Sequence, residues 1–257
     1  AGKTLVSTTT GIAQQEGLLN INNKVSQYLG NGWSSEPLEK ENLITNRNLL
    51  TMTSGLNDES NLVIKPNLTY LADAGSRWSY SNVFQLLINV IGKASNQDFE
   101  TYFNAKLKNK IGMDGFWNFG TIFTIYHSNT RSMARFGLLL LNKGKWKTEQ
   151  IINENYVNET TNSSQDINPS YGYLCWLNGK SKYMVPGSQT VYPTALVPNA
   201  PSDMFSAMGA EDQRIYVIPS KNMVIVRMGD ASDPQNPNFA LSGFDAALWD
   251  KINAVVR

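Results

Sequence analysis

The hydrophobic pattern of this chain changes period partway along, and that change limits the folds open to it. Val83, Leu86, Leu87, Val90 and Ile91 recur at helical spacing, Phe99, Tyr102, Phe103 and Leu107 do so again, and Met133, Phe136, Gly137, Leu140 and Leu141 form a third stripe. A fourth helix is expected from Glu149 to Thr161. Beyond it the period shortens: Tyr171 to Leu177, Met204 to Met208, Arg214 to Ile218 and Met223 to Met228 are short apolar runs bounded by turn residues. Pro219-Ser220-Lys221-Asn222 separates the last two, which predicts an antiparallel hairpin. A closing helix, Phe239 to Val255, would place Leu241, Phe244, Leu248 and Ile252 along one face. Helices in the middle and strands toward the C-terminus predict an α+β fold, an antiparallel sheet flanked by helices. The expected partition is a sheet-bearing unit of residues 1–29 and 171–257, with a mostly helical region, 30–170, inserted into it.

Composition narrows the function classes. The 257 residues are 41% hydrophobic, ample for a core, and 22 basic against 21 acidic residues leave a net charge of +1. So balanced a chain has no electrostatic footprint for nucleic acid. No apolar run reaches the ~18 residues of a membrane span; around Phe84 to Ile91, Gln85 and Asn89 interrupt the longest candidate. Cys175 is the lone cysteine and His127 the lone histidine. Together they exclude an intrachain disulfide, a cysteine metal cluster and a two-histidine zinc site. Cys175, between Leu174 and Trp176, reads as a packed thiol. His127, in the polar stretch Tyr126-His127-Ser128-Asn129, reads as a surface residue in a turn before a helix. The chain has neither a G-x-S-x-G elbow nor a glycine-rich phosphate loop.

Two places carry chemistry. Ala1-Gly2-Lys3 match the last three positions of an S-x-x-K tetrad, and the residues from Thr4 to about Gly17 read as a helix that carries Lys3 in its first turn. Residues three apart share a helix face, so a serine immediately before Ala1, which this pattern predicts, would lie beside the Lys3 amine. A partly desolvated lysine can take a proton from such a hydroxyl. Tyr80-Ser81-Asn82 stands where a long polar loop, Asn57 to Ser79, meets a helix. Loops of that length in a compact domain are usually functional. Asn82 reads as the cap of that helix, and a Tyr80 phenol next to a lysine ammonium would have its pKa lowered and could shuttle a proton. The compact apolar element Leu49 to Leu56, closed by a Ser-Gly turn, is expected to buttress the site. Trp117, Trp176 and Tyr173 are candidates for a pocket wall, although large aromatics more often fill cores.

Taken in order, Ala1-Gly2-Lys3, the segment from Leu50 to Leu56, Tyr80-Ser81-Asn82, Ala134-Arg135-Phe136-Gly137 and Val224-Ile225-Val226-Arg227 resemble the serine hydrolases of the class C β-lactamase and penicillin-binding superfamily. The resemblance covers nearly the whole chain and looks strongest toward the esterase and amidase-like branch that includes the 6-aminohexanoate-dimer hydrolases. It implies a β-lactamase/transpeptidase-like fold, an acyl-enzyme mechanism without metal or organic cofactor, a small ester, amide or peptide substrate, and a periplasmic or secreted location. It also implies Lys3 as the activating partner of the serine, Tyr80 as proton shuttle and Asn82 as an orienting, substrate-contacting amide. One motif departs from the pattern. Where the superfamily has K-T-G or H-T-G, this chain reads Met208-Gly209-Ala210-Glu211-Asp212-Gln213, with no cation to attract a substrate carboxylate. A backbone N–H at Ala210 could still serve as an oxyanion donor, because an oxyanion hole needs only geometry. Glu211 and Asp212 would repel anionic substrates. The balance moves from β-lactam chemistry toward an esterase or amidase. A β-lactamase or D,D-peptidase, and a non-catalytic binding relative without the nucleophile, remain as alternatives.

Overall fold

The computed structural model of the protein describes residues 1–120, 122–235 and 243–256. Its first helix, α1 (Gly2–Gln15), is buried continuously from Thr4 to Ala13. Burial on every side explains why the helix is built from small residues. The hydroxyls of Thr9 and Thr10 donate back to the carbonyls of Leu5 and Val6 at 2.8 and 2.9 Å, so they need no partner outside the helix. Gly11 marks the tightest approach. A Cβ there would lie 2.5 Å from Cε1 of Tyr156 and 2.8 Å from Cδ1 of Ile152. Gly11→Ala is therefore expected to overpack the core and lower stability by about 1–3 kcal/mol. A urea midpoint equal to that of the wild type would show that the Tyr156 ring can give way.

Three short helices follow, α2 (Ser26–Leu29), α3 (Leu38–Glu41) and α4 (Asn46–Leu50), the last held by a Thr45/Asn48 capping box. Next, α5 (Leu86–Ser95) packs on α1, and α6 (Phe99–Phe103), capped by Asp98, runs through a π-helical turn into α7 (Asn109–Ile111). The aromatic stretch after it is a hairpin, β1 (Gly115–Phe119) with β2 (Thr124–Ser128), which buries Trp117 and Tyr126 on one face. α8 (Thr130–Leu141) begins at an Asn129 cap. The helix expected from Glu149 is shorter: Glu149–Gln150 is a strand, β4, paired with β3 (Lys145–Trp146), and α9 spans Glu154–Thr160. Asn153 sets that start, its side chain accepting from the Asn155 N–H at 2.8 Å.

The main sheet has the antiparallel order β5 (Trp176–Leu177), β6 (Phe205–Met208), β7 (Arg214–Ile218), β8 (Met223–Arg227). The predicted hairpin is β7 and β8, in register from Arg214 opposite Arg227 to Ile218 opposite Met223. α8 lies on β7 and β8, with Gly137 set directly against Val224 and Ile215. The Tyr171 to Leu177 run is not one strand. It folds back on itself, with Gly172 N–H donating to Cys175 O at 2.8 Å and Leu174 at φ 52°. The tip is held between two helices: Leu174 N–H donates to Leu50 O and Leu174 O accepts from the Thr4 hydroxyl. The closing helix is α10 (Gly243–Val255); Phe239 and Leu241 lie outside the described residues. Its most buried positions are Asp245 and Trp249, one turn apart. The mixed architecture is the antiparallel sheet with flanking helices that the periodicity predicts. Among the described residues no helix is long and apolar enough to cross a membrane.

Candidate active site

Lys3 sits in the first turn of α1, with its Nζ 4.9 Å from the centroid of the Tyr80 ring and 4.4 Å from that of Phe84. Among the described residues no carboxylate pairs with it. Burial lowers its pKa from 10.5 to about 8. The positive end of α1 acts in the same sense. Tyr80 belongs to an aromatic cluster: its ring stacks on Trp176 at 5.5 Å and meets Tyr171 edge-on at 6.0 Å, with Trp78 at 6.4 Å. Burial pushes its phenol well above the ordinary range, and the Trp176 side chain and the nearby Arg214 charge offset this only in part. That direction is opposite to the one expected from sequence. Lys3 lies over the face of the Tyr80 ring, and loss of water dominates.

The segment leading to Tyr80 is pinned. Asp58 accepts from Arg77 at 2.8 Å and from the Ser79 hydroxyl, Ser79 N–H donates to Met52 O at 2.8 Å, and the Gln189 amide donates to Trp78 O at 3.0 Å. Met52 belongs to the Leu49 to Leu56 element, which does border the site. Its Gly55, at φ 80°, faces the Ala72 carbonyl so closely that a side chain would collide with it. Ser81, not Asn82, caps the turn that follows, its Oγ accepting from the Val83 N–H at 3.3 Å. Asn82 is the first residue inside that turn and is buried. Its amide donates to Asn61 O at 3.1 Å and Ile122 O at 3.3 Å, joining the polar loop to the tip of the β1–β2 hairpin.

Opposite Lys3's helix end lies the altered third motif, a turn between β6 and β7. Gly209 N–H donates to Gln213 O at 2.9 Å and Gln213 N–H to Ala210 O at 3.2 Å. A Cβ on Gly209 would fall 2.5 Å from the Ala1 nitrogen, so this position must stay bare for the turn to approach the start of α1. Ala210 is exposed, and among the described residues no acceptor takes its N–H. Beneath the turn is a network that the sequence did not disclose. Arg214, wholly buried, binds both oxygens of Asp245 through Nε at 2.8 Å and Nη2 at 2.9 Å. Its Nη2 also reaches Asp212 at 3.2 Å, and its Nη1 donates to Gly209 O and Gln213 O. Tyr216 donates to Asp245 as well. Asp212 also accepts from the Ser232 N–H and hydroxyl, so it is buried and paired and cannot repel an anion as expected; Glu211 is exposed. An arginine opening the apolar run Arg214 to Ile218 was a usable signal, since buried arginines are paired.

The remaining candidates scatter. Trp176 joins the Tyr80 cluster. Trp117 is core, packed against Phe99, Phe103 and Tyr126. Tyr173 packs on Tyr156 and, with Arg47 and Glu159, borders a separate open cleft of about 260 Å³. His127 is exposed on β2, stacked on Phe116 at 5.1 Å, rather than in a turn. Cys175 is buried, and burial pushes its thiol up to about 12, which keeps it inert.

Residues 1–242 match the Beta-lactamase family, and the chain belongs to it. It is thereby a hydrolase of the serine hydrolase superfamily. Among solved structures it is similar to a family VIII carboxylesterase (13% identity, TM-score 0.72, covering 97% of this chain and 81% of that one). It is also similar to a β-lactamase from Mycobacterium bovis (20%, TM-score 0.67, 99% and 83%). A third is a Bacillus anthracis protein assigned as a 6-aminohexanoate-dimer hydrolase (16%, TM-score 0.67, 98% and 69%). At these identities the likeness is one of fold. No curated protein matches the chain.

Proposed function

We propose that the chain carries the catalytic machinery of a serine hydrolase that cleaves an ester or amide through an acyl-enzyme. The nucleophile in this reading is a serine immediately before Ala1. Its Oγ attacks the substrate carbonyl carbon, and its proton passes to the Lys3 amine. The oxyanion is held by the Ala210 N–H. Tyr80, which stays a neutral phenol, relays the proton to the leaving group as the C–O or C–N bond breaks, and water then releases the acyl group by the same route in reverse. Asn82 orients the substrate in this reading through its amide oxygen, its NH2 being donated to Asn61 O and Ile122 O. The observation that carries the proposal is the Lys3 Nζ buried over the Tyr80 ring with no carboxylate beside it among the described residues, because burial favours the neutral amine a general base must be.

The test is labelling of the full-length protein by a fluorophosphonate. Wild type should react, and Tyr80→Phe should react more slowly by about 10²–10⁴-fold. Equal labelling of the two would remove Tyr80 from the mechanism. Turnover of a β-lactam is expected to be poor, since the third motif offers no cation for its carboxylate. Rapid nitrocefin hydrolysis would restore the β-lactamase reading. A full-length protein that takes no label would favour a non-catalytic relative.

A further inference from the structure

We infer that Arg214 is a positioning residue that aims the oxyanion donor. The inference rests on the proposed acyl-enzyme chemistry and adds to it a residue from outside the shared motifs. Arg214 Nη1 donates to the Gly209 carbonyl at 2.9 Å, and that carbonyl belongs to the same peptide unit as the Ala210 N–H. In a trans peptide the two groups point in opposite directions, and the described chain has no cis peptide. Holding the Gly209 oxygen against the buried guanidinium therefore turns the Ala210 N–H away from the interior. It leaves the N–H without an acceptor among the described residues, at a turn that abuts Ala1. A second bond from Nη1, to Gln213 O at 3.2 Å, fixes the other end of the turn. The turn needs such a brace, because Glu211 and Asp212 both sit at positive φ, 55° and 54°, a conformation that non-glycine residues adopt at a cost.

The guanidinium is itself immobilised. Asp245, brought by α10, grips Nε and Nη2, and Asp212 takes a further bond from Nη2, so the planar fork cannot rotate. A lysine could not reproduce this. Its ammonium is a point charge with three donors, too few and too compact to span two carboxylates and two carbonyls. The arrangement makes α10 part of the active-site support: a helix with no motif residue sets the direction of one N–H through a single side chain.

The experiment uses the full-length protein, a p-nitrophenyl ester and the corresponding thionoester, whose sulfur is a poorer acceptor from an oxyanion-hole donor. With Arg214→Lys, kcat for the ester should fall by about 10²-fold or more while KM stays within about threefold of wild type. The ester-to-thionoester rate ratio should fall with it. Asp245→Asn, which keeps the side-chain shape, should show the same pattern more weakly. A folded Arg214→Lys protein with an unchanged ratio would overturn the inference, as that is how a purely structural role behaves. A readout that needs no variant is the amide proton resonance of Ala210 in wild type, which should move downfield when a boronic acid adduct forms. No movement in a protein that forms the adduct would equally overturn it. Failure of wild type to form any adduct or take any fluorophosphonate would instead strike the acyl-enzyme reading itself.

Discussion

Lys3→Met should abolish most of the activity and make the protein more stable. Burial brings the Lys3 pKa from 10.5 down to about 8. At pH 7 roughly a tenth of the molecules then hold a neutral amine, against roughly 0.03% for an unshifted lysine. The fold thus raises the supply of base a few hundredfold, and removing that base should cost about 10²–10⁴-fold in kcat/KM. In wild type, kcat/KM should rise with pH through about 8, and a profile flat from pH 6 to 9 would exclude Lys3 as the titrating base. The stability effect has the opposite sign. A folded-state pKa below the unfolded value means that the unfolded chain binds more protons between pH 8 and 10.5, so wild-type stability rises with pH across that window. Below pH 8 the folded protein bears the whole cost of a desolvated ammonium, about 1–3 kcal/mol once partial exposure is allowed for. Methionine fills the same space without charge, so the variant's advantage should be largest at pH 7 and fade by pH 10.5. Paired urea titrations at those two pH values measure it; a variant less stable than wild type at pH 7 would show that the ammonium is stabilised by contacts with the Tyr80 and Phe84 rings.

What the sequence discloses and what it hides divide along the range of the interactions involved. The period of the apolar residues foretells β7, β8 and α8, because each element's pattern is set by neighbours within a few residues. The meeting of Lys3 and Tyr80 is also legible, since the motif residues declare themselves by type and order. The sign of the Tyr80 shift is not, for it depends on Tyr171 and Trp176 closing around the ring from a distant part of the chain, beside the neighbouring Trp78. Tyr171 to Leu177 has strand composition yet folds back, because its turn is fixed by Leu50 and Thr4, more than a hundred residues away. Asp212 looks from sequence like a charge on the rim, and only the position of Arg214 and Ser232 reveals it as an internal acceptor. Asn82 shows the finer limit: the cap belongs to Ser81, one residue earlier, and no local rule separates the two.

Asp245→Ala should be among the most destabilising single substitutions in the molecule, at about 3–5 kcal/mol. Arg214 is fully shielded from solvent and Asp245 is 3% exposed, so neither charge can turn to water when its partner is lost. Removing the carboxylate leaves the Nε donor of Arg214 unsatisfied in the interior and deprives the Tyr216 hydroxyl of its acceptor. Surface pairs such as Lys143–Glu154 and Lys110–Glu149 provide the contrast. Each is solvated on both sides, and breaking one should cost well under about 1 kcal/mol. The comparison separates two ways of losing the network. In Arg214→Met/Asp245→Leu both charges leave together and their space stays filled, so much of the penalty of Asp245→Ala should be recovered, although Asp212 loses its bond from Arg214 while keeping those from Ser232, and α10 loses its polar anchor. Urea denaturation of the three proteins decides the matter. A single-variant loss below about 1 kcal/mol would mean that the ion pair is matched by water in solution. The double variant also isolates function from folding: a stable protein that has lost its ester-to-thionoester discrimination would place the value of Arg214 in aiming the Ala210 N–H rather than in holding the fold together.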